Sequence, residues 1–354
     1  MRICLIASSR FPVREPFQGG MEAHTAMLAT HLSRRGHQVS VFAAPGSDPR
    51  FHVKELAVST FEPSEAARLD VGAMPEAWMR EHHAYLGLMM ELARSGSQRF
   101  DVIHNNSLHH LPVAMAELVD VPMLSTLHTP PVPWLESALA ISAGDTSFVA
   151  VSRHTAAAWS HVVDAQVVLN GIDTDTWRPG PGGDRAVWSG RVVPEKAPHL
   201  AIRAAMEAGL AIDLAGPLSD RGYYVREIEP LLGARARYVG HLDTGSLIRL
   251  IGHAAVAVVS PAWDEPYGLV AAEAMSCGTP VAAFRRGGLS EIVADGAGAL
   301  AAPDDVGSLV DAIRAARGAD RRRVREHAVR SLGVERMVTS YESLYGMAGR
   351  EVAA

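Results

Sequence analysis

Short apolar runs recur along this chain, each followed by a longer stretch whose apolar positions keep helical spacing. Arg2 to Ala7, Gln38 to Ala43, Val102 to His104, Met123 to Thr126 and Phe148 to Val151 make one series. Ala186 to Ser189, Ala211 to Ala215, Tyr238 to Val239, Val256 to Ser260 and Val281 to Phe284 make a second. Strands that alternate with helices in this way predict an α/β protein with parallel sheets covered on both faces. The second series opens after Asn170-Gly171-Ile172-Asp173, so the reading is a first domain over residues 1–170 and a second over 171–335. The Pro and Gly cluster at 179–183 is the candidate linker. Residues 76–94 predict a helix whose Trp78, Met79, Tyr85, Leu86, Met89 and Met90 face the core. Arg336 to Met347 predicts a terminal helix.

Composition narrows the class. A chain of 354 residues suits two cores better than one. Apolar content of 48% with 20% charged residues describes a globular interior. No apolar run is long enough to span a membrane, and Met1 to Ala7 reads as a first strand, not a signal peptide, which predicts a cytoplasmic protein. Its two cysteines, far apart in sequence, read as reduced buried thiols. The net charge of −6 argues against a nucleic-acid partner. Residues 1–165 hold 12 Arg or Lys against 16 Asp or Glu, and no basic cluster marks a membrane-docking face. Among the 33 basic residues only Lys54 and Lys196 are lysines.

The chemistry concentrates in Asp264-Glu265-Pro266-Tyr267-Gly268-Leu269-Val270-Ala271-Ala272-Glu273. Eight positions on one helix would leave Glu265 and Glu273 about 80° and about 12 Å apart, so a shared site needs Glu265 in a loop that folds back. Pro266 and Gly268 suit that loop, and an Ala-rich helix follows to a Gly278 stop. N–H groups of Gly268, Leu269 and Val270 at the helix start would face an anion or a hydroxyl. Gln18-Gly19-Gly20-Met21-Glu22 follows the first strand and opens a helix; it is a glycine pair and not a dinucleotide fingerprint. Ser189-Gly190-Arg191-Val192-Val193-Pro194-Glu195-Lys196 sets two cations just past a strand, where they could neutralise a diphosphate. Thr126-Leu127-His128-Thr129-Pro130 and Gly240-His241-Leu242-Asp243 also follow strands. The histidine pairs at 82–83 and 109–110 lack a carboxylate or cysteine pattern, and no metal site is read there.

Cys277-Gly278-Thr279-Pro280-Val281 and Gly287-Gly288-Leu289-Ser290-Glu291-Ile292-Val293 follow the paired glutamates in register, and the whole run resembles the retaining glycosyltransferases of family 4, which carry Glu-x7-Glu at this place. The resemblance implies a GT-B fold: two Rossmann-like domains with parallel sheets facing across a cleft, and a helix over 336–354 crossing back to the first domain. It implies transfer of a sugar from a nucleotide-diphosphate sugar, a UDP- or GDP-sugar, to a hydroxyl of a soluble small molecule or glycan precursor, with no metal or other cofactor. Carried residue by residue, Glu273 would bind ribose hydroxyls and Glu265 a donor-sugar hydroxyl. Arg191 and Lys196 would hold the diphosphate, Gly19 and Gly20 its phosphate, and Leu242 would lie beneath the base. His128 would approach the reacting carbon, with Glu22, His104 and Asn106 on the acceptor side. Ala197 departs from the pattern, since Gly is common after the lysine. Acceptor specificity would lie in loops around 8–18, 59–80 and 105–110. A nucleotide-sugar 2-epimerase of similar fold and a noncatalytic nucleotide-sugar-binding protein stay open as alternatives.

Overall fold

A computed structural model describes residues 1–57, 62–142 and 146–351, with side chains up to 347. Positions 59–61 of the acceptor loop and 352–354 of the terminal segment lie outside the described residues. Seven strands form the first sheet: β1 (Arg2–Ile6), β2 (Gln38–Ala43), β3 (Lys54–Glu55), β4 (Val102–Asn105), β5 (Met123–Leu127), β6 (Ser147–Ala150) and β7 (Ala165–Val167). Six form the second: β8 (Ala186–Ser189), β9 (Ile212–Ala215), β10 (Ala236–Tyr238), β11 (Val256–Val259), β12 (Val281–Phe284) and β13 (Gly298–Ala301). Every pairing is parallel, in the orders β3-β2-β1-β4-β5-β6-β7 and β10-β9-β8-β11-β12-β13. Each sheet therefore reverses direction once, at β1/β4 and at β8/β11, and a doubly wound sheet opens its ligand crevice beyond the strand ends at that point.

Strands β3, β7 and β13 have no counterpart in the apolar pattern, and β10 lies two residues earlier than the run that suggested it. All four are sheet edges. An edge strand is covered on fewer sides and kept short, so it needs no apolar run to announce it. Central strands are the reverse: β1, β4 and β5 alternate side chains between two cores. Ile3 and Leu5 pack on one face, Cys4 and Ile6 on the other. Both cysteines are free and buried. The helix Glu76–Arg99 buries Tyr85, Leu88, Met89 and Leu92 against the second of these cores.

Gly180 and Gly182 correct the linker reading. Their N–H groups donate to Cys277 O at 3.0 Å and Gly252 O at 2.9 Å, so the Pro and Gly cluster is tied to the second domain and does not span between domains. Chain crossing happens at Ile172, which donates to Leu332 O and accepts from Val334 N–H in a two-residue bridge. From there the helix Val334–Glu351 runs onto the first domain, where Met337, Val338, Tyr341 and Tyr345 join Ile3, Leu5, Leu28 and Val149 in one core. No helix among the described residues is long and apolar enough to cross a membrane.

Candidate active site

A cleft of about 600 Å³ opens between the carboxyl ends of the two sheets, within the size range of small-molecule sites. Gly19, Gly20, His24, His128 and Asn170 line it from the first domain. Arg191, Lys196, Leu242, Trp263, Glu265, Gly268, Leu269, Val270 and Glu273 line it from the second. Contacts across the cleft hold the walls together. The Glu291 carboxylate accepts the N–H groups of Arg153 and His154 at 3.0 and 2.8 Å, placing an anion at the start of a first-domain helix. His241 Nε2 donates to Phe17 O at 2.9 Å.

The loop after β11 folds back as the eight-residue spacing requires. Glu265 is anchored through its carbonyl, which accepts Gly288 N–H at 2.7 Å, and the helix Leu269–Ser276 begins at Gly268. Gly268 has φ +100° and a Cβ there would sit 2.5 Å from Leu289, so no other residue fits. The N–H groups of Gly268, Leu269 and Val270 find no acceptor among the described residues and face the cleft. Glu273, one turn further, has no hydrogen-bond partner among the described residues, and burial pushes its carboxyl up to about 7. Its side chain is partly buried and lines the cleft, so its unpaired oxygens are open to donors from a ligand.

Lys196 Nζ donates to Glu265 Oε2 at 2.5 Å and lies 4.9 Å over the Trp263 ring, whose Nε1 donates to the same oxygen at 3.2 Å. The ammonium and the carboxylate thus hold each other in the cleft wall. Arg191 reaches Glu195 at 3.4 Å only, which leaves most of its donor fork open. Ala197 occupies the left-handed region at φ +44°, ψ +50°. That conformation explains the departure noted in the sequence, since glycine adopts it freely and alanine at a cost of about 1–2 kcal/mol.

On the facing wall His128 Nε2 donates to Asn106 Oδ1 at 2.7 Å, which leaves Nδ1 as an acceptor, and burial holds the imidazole well below its ordinary range. His24 packs edge-on against it at 5.0 Å. Burial alone lowers His24 to about 4, and neither ring nitrogen has a partner among the described residues. His24 went unread in the sequence, although it sits four residues after Gly20, on the same face of the helix Gly20–Arg34. Trp263, Asn170 and Glu291 were likewise missed as site residues; only Glu291 lay inside a motif already singled out.

The three residues expected on the acceptor side are all buried, and His104 is the one taken away from the cleft. His104, on β4, is fully buried, hydrogen-bonded to Tyr345 Oη at 2.6 Å and Thr126 Oγ1 at 2.7 Å, so it joins the terminal helix to the first domain and does not line the cleft. Asn106 is buried too, and its Oδ1 accepts from His128 Nε2. Glu22 is 5% exposed, the third residue of its helix, and its carboxylate lies behind the cleft-lining Gly19, close enough to Arg191 to feel its charge. Burial raises its carboxyl, and Arg191 and Arg10 partly offset that.

Comparison with known proteins matches this architecture. The family model for glycosyl transferases group 1 covers residues 179–327, and that for glycosyltransferase family 4 covers residues 18–176. Glycogen synthase of Mycobacterium tuberculosis is 31% identical, over 89% of this chain and 85% of its own. The D-inositol 3-phosphate glycosyltransferase of Mycobacterium bovis is 30% identical, over 88% of this chain and 74% of its own. Among solved structures, HepE of Anabaena with UDP and glucose superposes with a TM-score of 0.75 at 17% identity, covering 98% of this chain and 99% of that one. Sucrose-phosphate synthase of Thermosynechococcus elongatus gives 0.75 at 22% identity and 98% of both chains. Two doubly wound domains, a cleft at their switch points and these relatives lead to one conclusion: the chain belongs to the group 1 glycosyltransferases of family 4, with the GT-B fold.

Proposed function

We propose that this glycosyltransferase takes a sugar from a nucleoside-diphosphate donor, a UDP- or GDP-sugar, and passes it to a hydroxyl of a small-molecule or glycan acceptor with retention at the anomeric carbon. The observation that carries the reading is the convergence in one cleft of Arg191, Lys196, three open helix-start N–H groups and the unpaired Glu273 carboxylate. Cations and N–H dipoles suit a diphosphate; a lone unpaired carboxylate suits ribose hydroxyls. HepE is described with UDP and with UDP-glucose, in keeping with such a donor.

As the bond from the anomeric carbon to the diphosphate breaks, negative charge grows on the leaving oxygen. Arg191, Lys196 and the helix start stabilise it, which is electrostatic catalysis by prearranged groups and calls for no metal ion. Lys196 exchanges its Glu265 contact for the phosphate, and Glu265 then accepts a donor-sugar hydroxyl. The acceptor oxygen attacks on the same face, and its proton passes to the departing phosphate. His128, neutral and oriented by Asn106, accepts a hydroxyl hydrogen bond near the reacting carbon through Nδ1. With residues 1–165 at a net −4, the acceptor is read as soluble and the setting as cytoplasmic.

A thermal-shift screen with uridine, guanosine, adenosine and thymidine diphosphate sugars tests the donor class, since a ligand of the native cleft raises the melting temperature. One uridine or guanosine donor is expected to stabilise the protein, and NMR of the product is expected to show the donor's anomeric configuration, with turnover unchanged by EDTA. Inverted product or no stabilising nucleotide sugar overturns the reading, and conversion of the donor's own sugar without any acceptor identifies an epimerase instead.

A further inference from the structure

We propose that His82, His109 and His110 form a binding site for a divalent transition-metal ion of the zinc class, in the first domain and outside the cleft. The sequence holds two separate histidine pairs with no metal-binding spacing. Folding sets His82, on the helix Glu76–Arg99, against His109 and His110, which follow β4 and open the short helix His110–Ala114. One ring nitrogen from each lies within 4.8 Å of the other two. A tetrahedral ion with Zn–N bonds of ~2.0–2.1 Å would set them about 3.4 Å apart. Closing the remainder takes His110 out of its present stacks on His109 and His82, at 4.4 and 5.3 Å between ring centres, a rotation for which the partial burial of all three rings leaves room.

A further observation points to a ligand. His82 Nδ1 is a buried nitrogen with no hydrogen-bond partner among the described residues, a desolvated group that something outside the protein can satisfy. His109 Nδ1 accepts Leu111 N–H at 3.3 Å. Ligation through its Nε2 would shift the ring proton to Nδ1 and give up that one long contact.

The donor set decides the ion. Three neutral imidazoles with no carboxylate suit Zn²⁺, Co²⁺, Ni²⁺ or Cu²⁺ and not Mg²⁺ or Ca²⁺, which take oxygen ligands. Trp78 stacks on His82 at 5.0 Å, Trp134 lies against His110 at 4.8 Å and Tyr85 stacks on His109 at 4.2 Å, so aromatic rings flank all three imidazoles. Three protein ligands leave a fourth position for water or an anion. A bound ion would tie the helix Glu76–Arg99 to the segment that carries Asn106, the partner of His128.

The test uses tag-free full-length protein, stripped with a chelator and dialysed. Co²⁺ titration followed by visible absorption, and Zn²⁺ titration by calorimetry, are expected to show one equivalent bound with tetrahedral cobalt bands and a raised melting temperature. His82→Gln and His110→Gln should each weaken uptake about 10-fold or more, while His83→Gln and His161→Gln bind as the parent does and Mg²⁺ in excess does not compete. Melting curves recorded without metal verify that the variants fold. Absence of uptake overturns the site, as does uptake indifferent to His82→Gln and His110→Gln, which would mark adventitious surface binding only.

Discussion

Along the second-domain wall of the cleft, Arg191, Lys196, Glu265 and Glu273 set two cations beside two carboxylates, whereas the facing wall presents Gly19, Gly20 and the neutral imidazoles His24 and His128. Charge sits where the phosphates and ribose would lie, and neutral hydrogen-bonding groups sit where a sugar hydroxyl would approach. The difference has a physical basis. Arg191 and Lys196 stand on loops open to the cleft beside the helix-start N–H groups. The imidazoles are held inside a packed domain, where desolvation removes their charge.

The sharpest way to break the comparison is to remove the cations. Arg191→Ala and Lys196→Ala are each expected to lower kcat by about 10²–10³-fold with little change in melting temperature; turnover that stays near the parent value would move the chemistry to the other wall. A smaller effect separates the two kinds of titratable group. Glu273, raised to about 7 by burial, is mostly protonated at pH 6 and mostly ionised at pH 8. Donated hydroxyls favour the ionised form, so nucleotide affinity should climb about tenfold across that interval and lie flat in Glu273→Gln, measured by calorimetry. The smallest effect joins the walls. A Cβ on Gly20 would come 3.1 Å from Leu269 Cδ1 on the opposite domain. Gly20→Ala should cost a few-fold in kcat/KM, and Leu269→Ala in the same chain should recover part of it, a coupling that a double-mutant cycle reads directly.

The second-domain wall was the more legible one, and locality is the reason. Glu265, Gly268 and Glu273 stand within one strand–loop–helix unit, so spacing and turn residues define their relation before any packing is known. Central strands were legible on similar grounds, while the edge strands β3, β7 and β13 carried too little buried surface to leave a pattern. The facing wall depends on distant partners. His104 looked like a cleft residue until Tyr345, 241 positions away, claimed it. Asn106 bonds to His128, and His82 meets His109 and His110 only after the sheet forms. No local rule anticipates such pairings.

The terminal helix has a consequence for synthesis. Met337, Val338, Tyr341 and Tyr345 complete the core around β1, yet they leave the ribosome after the whole second domain has been made. Domains generally fold as units and N-terminal first during synthesis, and here the first unit's core would be complete only once the segment after the second domain has emerged. A nascent chain stalled near residue 333 would carry an exposed apolar groove where this helix packs.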